Sequence, residues 1–253
     1  MTMNAIFVAW RPSQPDNYGW RPVGRLIHDG GLYRFCYTQG ARKPGFQPFP
    51  GMKSLDHVYE SETLFPVFQN RLLPSSRPEY EAYLRWSGFD ISSPPEPVVV
   101  LGITEGRRET DALEVFPCPV PDAEHCLLNR FFLHGVRWMH QTTIARIDQL
   151  TGDEPLKLML DHQNSVDRYA VAVRTEADRQ MIGYVPRYLA HDVYRLFESC
   201  DVDFIKLKVL RLNLDAPLQN RVLCEMKACW PDGFEPCSTE DFRPIPANVP
   251  ARC

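Results

Sequence analysis

The stretch from Leu158 to Ala190 leaves the chain few ways to fold. An apolar run ends in Asp161, and a polar turn holding Asn164 and Asp167 comes after it. A β-rich run, Tyr169 to Val173, is next, then a charged turn, then Ile182-Gly183-Tyr184-Val185-Pro186-Arg187. Pro186 suits the first position of a helix, where its missing N–H costs nothing. Leu189, Val193, Leu196 and Cys200 then recur at i, i+4, i+7 and i+11, one apolar helix face. The order is strand, polar turn, strand, charged turn, short strand and helix.

The rest of the second half is also strand-rich. Pro97 to Thr104 is a mostly apolar run, expected as a strand. Phe131 to Val136, Leu156 to Asp161, Tyr169 to Thr175, Met181 to Val185, Val202 to Leu212 and Arg221 to Ala228 are the further strand candidates. Ile205, Leu207 and Val209 alternate, and Leu210 and Leu212 then shift phase by one. A β-bulge near Val209 explains that shift, and barrels use bulges to turn corners. The expectation is a closed or partly closed, OB-like β-barrel with one or two helices.

The first half reads as a small α/β domain, which makes the whole chain α+β, mostly β. Ala5 to Trp10 is a strand, and Val23 to Ile27 pairs with Leu32 to Tyr37 across Asp29-Gly30-Gly31. A loop fills Gly40 to Met52. Leu64, Phe68 and Leu72 share one helical face, limited by Pro66. Pro78 to Trp86 reads as a second helix that stops at Gly88. The Pro-rich Ile91 to Pro97 reads as a linker, and Phe116 to Pro121 as a loop at a sheet edge. The expected division is residues 1–91, 98–230 and a C-terminal tail, 231–253.

The chain of 253 residues is 44% hydrophobic and carries a net charge of −4. That charge argues against coating nucleic acid with the whole surface, yet allows a local pocket. No apolar run reaches the roughly 18 residues of a membrane span, and no signal peptide is evident, so a cytoplasmic protein is expected. The eight cysteines are scattered without a Cys-x-x-Cys pair, and reduced thiols are expected. Cys224, Cys229 and Cys237 form a weak zinc pattern, with Cys224 better read as a small buried hydrophobe on a strand. The histidines form no ligand motif, no phosphate-binding Gly loop is present, and no cofactor is implied. His162, in the polar turn, is the histidine that stands out. Asp148, Asp153, Asp161 and Asp167 offer a metal-dependent nuclease site only if they converge.

From about Asn129 to Leu214, the ordered elements, with Gly183-Tyr184-Val185-Pro186-Arg187 among them, resemble a HIRAN domain. The resemblance implies a non-catalytic β-barrel module that grips the 3′ end of single-stranded DNA. By that resemblance, Asn164 and Asp167 meet the terminal nucleotide and its hydroxyl. Trp138, after Arg137, stacks on a base, and Tyr184 and Arg187 meet phosphates. The family's Asn-Pro-Tyr-Asp turn here reads Asn164-Ser165-Val166-Asp167, without its proline and aromatic. Beyond the family motif, Arg187, His191 and Arg195 recur at i, i+4 and i+8, a stripe suited to a nucleic-acid backbone.

The first half resembles the N-terminal subdomain of HipA-type kinases through Val23-Gly24-Arg25-Leu26, Tyr33 to Tyr37, Leu64-Phe65-Pro66 and Asn70-Arg71-Leu72. That implies a cap-like domain with no catalytic group and a protein-docking surface. The combined expectation is a DNA-binding protein of a repair, toxin–antitoxin or phage-defence system. The alternative is an adaptor that uses the barrel to bind a partner protein.

Overall fold

A computed structural model describes residues 4–11, 20–108, 111–199 and 204–250. The chain divides into two compact units. The first comprises Met1–Tyr80, Pro94–Pro119 and Cys237–Cys253, and the second comprises Glu81–Ser93 and Val120–Pro236. Among the described residues, no helix is long and apolar enough to cross a membrane.

The first unit is built on five strands: β1 (Ala5–Trp10), β2 (Arg21–Asp29), β3 (Leu32–Tyr37), β4 (Tyr59–Ser61) and β5 (Leu113–Pro117). Their order is β4-β3-β2-β1-β5, and every pairing is antiparallel. Gly30 and Gly31 take φ of 58° and 79°, the left-handed values that the β2–β3 turn demands. Ile6, Val8, Leu26, Phe35, Tyr37 and Phe68 form the core with Leu101 and Val115. The Tyr37 hydroxyl donates to the Met52 carbonyl (2.8 Å) and accepts from the Phe49 N–H (2.7 Å), which ties the 40–52 loop to that core.

The helices depart from expectation for identifiable reasons. Helix α1 (Pro66–Gln69) is a single turn that starts at its proline, so Leu64, Phe68 and Leu72 pack without one continuous helix. Helix α2 (Tyr80–Trp86) starts two residues after Pro78 and ends before Gly88, whose φ is 77°. The apolar run expected as a strand is helix α3 (Pro97–Thr104), with Pro97 opening it and Val98, Val100, Leu101, Gly102 and Ile103 buried. A short run that is apolar on all sides has no period, and burial is the only message it carries.

The expected division into residues 1–91, 98–230 and 231–253 gives way to interleaving. Strand β5 lies beyond the expected linker, yet it pairs with β1 from Ile6↔Pro117 to Trp10↔Leu113. It is an edge strand, as the prolines after Phe116 suggest, but of the first sheet. The expected C-terminal tail also returns: the Ile245 N–H donates to Tyr37 O, and the Gln39 N–H to Arg243 O. Conversely, α2 belongs largely to the second unit. There Trp86 Nε1 donates to Asp215 (3.0 Å) and Asn213 Nδ2 to Trp86 O (3.0 Å).

The second unit is a curled six-stranded antiparallel sheet: β6 (Cys126–Phe132), β7 (Pro155–Leu160), β8 (Val171–Thr175), β9 (Met181–Tyr184), β10 (Ile205–Leu212) and β11 (Val222–Cys229). The order is β6-β11-β10-β7-β8-β9. The bulge expected near Val209 is present, since the β10–β11 register shifts between Val209 and Arg211. Helices α4 (Gln141–Ile147) and α5 (Arg187–Ser199) complete the unit. Leu189, Val193 and Leu196 of α5 are buried as their spacing predicts, and Cys200 lies outside the described residues.

The expectation of reduced thiols fails, since Cys118, Cys126 and Cys229 are all disulfide-bonded. Cys126 and Cys229 face each other across β6 and β11 and form a disulfide. They are 103 residues apart in sequence, so only the strand register reveals the pair. The bond also removes Cys229 from the zinc pattern. Cys224 is the buried strand residue, its thiol pushed up to about 12 by burial.

Among the described residues, the two edges of the curled sheet meet at one bridge, His134↔Tyr184. The Tyr184 N–H donates to His134 O and the His134 N–H to Tyr184 O, both at 2.9 Å. Gly183 permits this approach, because a Cβ there would lie 2.6 Å from the His134 carbonyl oxygen and 2.7 Å from Leu133 Cγ. We therefore expect Gly183→Ala to cost ~1–3 kcal/mol or more through overpacking. The thermal midpoint should fall by several degrees. Gly152→Ala is the control, since a Cβ there meets nothing within 4 Å. Equal midpoints for the two variants would refute this account of the seam.

We also expect residues 98–230 expressed alone to fold poorly. That fragment lacks α2, whose Leu84 is fully buried, and carries β5 without its β1 partner. A cooperative melt and dispersed amide resonances from the fragment would contradict the interleaving.

Candidate functional site

The seam places a set of polar and aromatic groups together. Cross-strand pairing puts Met159, Ala172 and Tyr184 on one face of β7, β8 and β9. Asp161 lies two residues after Met159 and falls on the same side. The Tyr184 hydroxyl thus reaches Asp161 and donates to Oδ2 at 2.8 Å. Asn164 Nδ2 donates to the same oxygen at 3.1 Å.

The turn then wires itself. Asn164 Oδ1 accepts from the N–H groups of Val166 and Asp167, both at 3.0 Å. Asp167 Oδ1 accepts from the Tyr169 N–H at 2.9 Å, and Oδ2 pairs with Arg187 Nε at 3.1 Å. Arg187 Nη2 donates to Val166 O at 3.1 Å. One chain of bonds therefore runs from Tyr184 through Asp161, Asn164 and Asp167 to Arg187. Turn capping by Asn164 and Asp167 leaves room for further contacts, because each keeps unused capacity. Asn164 retains one amide hydrogen, Asp167 retains lone pairs, and Arg187 retains guanidinium donors.

Asp161, which the sequence marks as a strand end and as one carboxylate of the nuclease cluster, is the hub. The bond from Tyr184 is the main reason its carboxyl sits below the usual range. Burial, then Asp161, raises the Tyr184 phenol. Because the hydroxyl donates to Asp161, it offers an incoming ligand an acceptor. That departs from the expected phosphate contact. The other carboxylates of the conceivable nuclease cluster have separate partners: Asp148 pairs with Arg221 and Asp153 with Lys208.

Arg137 and Trp138 lie on the 3-10 turn Val136–Trp138, directly after the seam. Gly135 opens that turn at φ 75°, and a Cβ on it would lie 3.1 Å from Tyr184 Cδ2. The glycine thus lets this turn sit against the Tyr184 ring. Trp138 is 76% exposed, and the Arg137 guanidinium lies 4.7 Å from its ring centroid. Val166, at the position of the missing aromatic, is 72% exposed.

The expected stripe on α5 is not a uniform cationic face. Arg187 is held by Asp167 and Val166. Arg195 is drawn the other way: it donates to Glu235 O at 2.8 Å and lies 4.8 Å from the Phe234 ring centroid. His191 is half-buried against Tyr169, ring centroids 4.6 Å apart, and burial lowers its pKa. Regular helical spacing places three side chains on one side, but neighbouring segments decide where each one points.

Four further residues stand beside the turn: His162, which the sequence singles out, and Tyr169, Tyr194 and Arg168, which it does not. Tyr169 is half-buried and packs on both His191 and Tyr194. His162 lies edge-on to Tyr194. Arg168 lies over the Tyr169 ring at 4.5 Å and donates to its hydroxyl at 2.6 Å. The adjacency Asp167-Arg168-Tyr169 is the available signal, masked by the alternation of Tyr169 with Val171.

We expect Asp161→Asn to lower the pKa of the Tyr184 phenol by removing the adjacent negative charge. Ultraviolet phenolate titration, with a Tyr184→Phe background for assignment, checks this. An unchanged titration would mean that burial alone sets the value.

With this geometry in place, comparison with known families gives one match. The HIRAN domain model matches residues 128–227. It spans the curled sheet and the site, and leaves the first half of the chain, with its HipA-type resemblance, unmatched. No curated protein matches the chain. Two crystal structures are similar over 40% of it. One is a protein from Lactobacillus plantarum, 18% identical over 94% of that chain, with a TM-score of 0.32. The other is the HIRAN domain of human HLTF, 17% identical over 71% of that chain, with a TM-score of 0.26.

Proposed function

We propose that the second unit is a non-catalytic module that holds the 3′ end of single-stranded DNA at the seam. The observation that carries this reading is the bonded chain from Tyr184 to Arg187, beside an exposed Arg137–Trp138 stack. The HIRAN match over the same residues supports it. In this reading Trp138 supplies the stacking face, with Arg137 as its cationic neighbour. The remaining Asn164 amide hydrogen and the Asp167 lone pairs meet the terminal sugar. Arg187 meets the last phosphate, and Tyr184 accepts a hydrogen bond from the ligand. His191 extends the site, and Arg195 supports α5 through Glu235 without touching the strand end. The first unit then serves as a protein-docking domain, and the whole acts in the cytoplasm in a repair or defence context.

The chain's net charge of −4 fits a small, local contact with few phosphates. The exposed Trp138 and Val166 also suit a protein ligand, so the experiment has to separate the two classes.

Fluorescence anisotropy with an oligonucleotide bearing a 3′ hydroxyl or a 3′ phosphate makes the separation. The free hydroxyl should bind more tightly, since a phosphate dianion would meet Asp167. Trp138→Ala should weaken binding by about 1–3 kcal/mol, the value of one stacked base. Arg187→Ala should weaken both ligands, and the 3′ phosphate more, because Asp167 then loses its paired guanidinium. Equal affinity for both ends would remove the strand-end reading. Failure of either oligonucleotide to bind would favour the protein ligand.

A further inference from the structure

We infer that the DNA strand leaves the seam across a second contact surface made by Arg168, Tyr169, His191, Tyr194 and His162, which receives the nucleotides preceding the terminal pair. The inference rests on the strand-end reading above and extends it.

Three observations carry it. The first is continuity. Arg168 and Tyr169 come directly after Asp167, which is ion-paired to Arg187 at 3.1 Å, and His191 stands one helical turn beyond Arg187. A strand whose last phosphate meets Arg187 therefore passes this surface next. The second is composition. Rings of Tyr169, His191 and Tyr194 form a connected group with centroids 4.6 and 5.3 Å apart, and His162 joins at 6.1 Å. Arg168 is exposed and lies over the Tyr169 ring. Sequence-tolerant single-strand sites are built this way, from aromatic faces for bases and guanidinium groups for both bases and phosphates.

The third is charge. Three carboxylates lie beside this surface, Asp161, Asp167 and Asp192, and the last two each face a guanidinium. Asp167 pairs with Arg187, and Asp192 is buried with Arg195 at 3.6 Å and His191 at 3.9 Å. A phosphate approaching Arg168 therefore meets little opposing charge from either of them. The surface also accounts for how the site can grip a strand without the aromatic that Val166 replaces. Stacking is moved from the tip of the turn to the residues just beyond it.

The test is a length series at fixed salt. Oligodeoxynucleotides of two, four and six residues share one 3′-terminal pair, and affinity is read by anisotropy or competition. Affinity should rise from two to four residues by roughly five- to a hundred-fold, the range for one stacked base. Tyr169→Ala should abolish most of that gain and leave the dinucleotide affinity nearly unchanged. Arg168→Ala, an exposed change that spares the fold, should reduce the gain. It should also lower the slope of log affinity against log salt by about 0.7, one single-strand phosphate contact. Tyr169→Phe keeps the ring and should keep most of the gain.

A gain that survives both Arg168→Ala and Tyr169→Ala would overturn the inference and leave the strand-end pocket standing. So would equal affinity at all three lengths. Equal weakening of the dinucleotide and the longer strands by both variants would mark a structural role for the surface, and would also overturn it. If no oligonucleotide binds at all, this inference and the reading beneath it fall together.

Discussion

Two backbone hydrogen bonds, exchanged between His134 and Tyr184, join the edges of the second unit's sheet and fix the geometry of its site. An open edge would leave strand donors and acceptors unpaired, which proteins avoid by closure or cover. Here closure demands a glycine at 183, because the carbonyl of His134 occupies the space a side chain would need. It also demands Gly135, whose left-handed backbone turns the chain immediately after the bridge. The Arg137–Trp138 stack is displayed by that turn. The same short contact that closes the sheet therefore brings the turn at Gly135 against the Tyr184 ring.

The polar turn on the other side of Tyr184 is held by bonds of its own. Its side chains bond one another and the turn's own N–H groups. Networks of this kind hold geometry only when every member is satisfied. Asp161 is the member on which two donors converge, and it orients Tyr184 and Asn164 together. Its charge is matched through hydrogen bonds within the turn, while Asp167 is matched by Arg187.

The first unit shows how weakly chain order constrains a sheet. Strand β5 reaches β1 after the chain has contributed α2 to the other unit, and the 237–250 segment returns to pair beside Tyr37. Proline-rich composition marks the excursion at Ile91 to Pro97 but does not say that the chain comes back. Backbone hydrogen bonds between distant segments have no sequence signature beyond β-propensity.

What the sequence determined by itself was local. Alternation and turn chemistry placed β7, β8, β9 and the start of α5, the phase shift placed the bulge, and spacing placed the buried face of α5. Asn164, Asp167, Tyr184 and Arg187 were legible because each sits at a strand end or turn, where short-range residue order controls position. Tertiary structure decided the rest. Register over 103 residues joined Cys126 to Cys229, and the pairing of Met159, Ala172 and Tyr184 brought Asp161 to the Tyr184 hydroxyl. Packing against other segments turned Arg195 toward Phe234 and gathered Tyr169, His191 and Tyr194. Periodicity reports which side of an element a residue occupies, whereas its partners come from whatever the fold brings to that side.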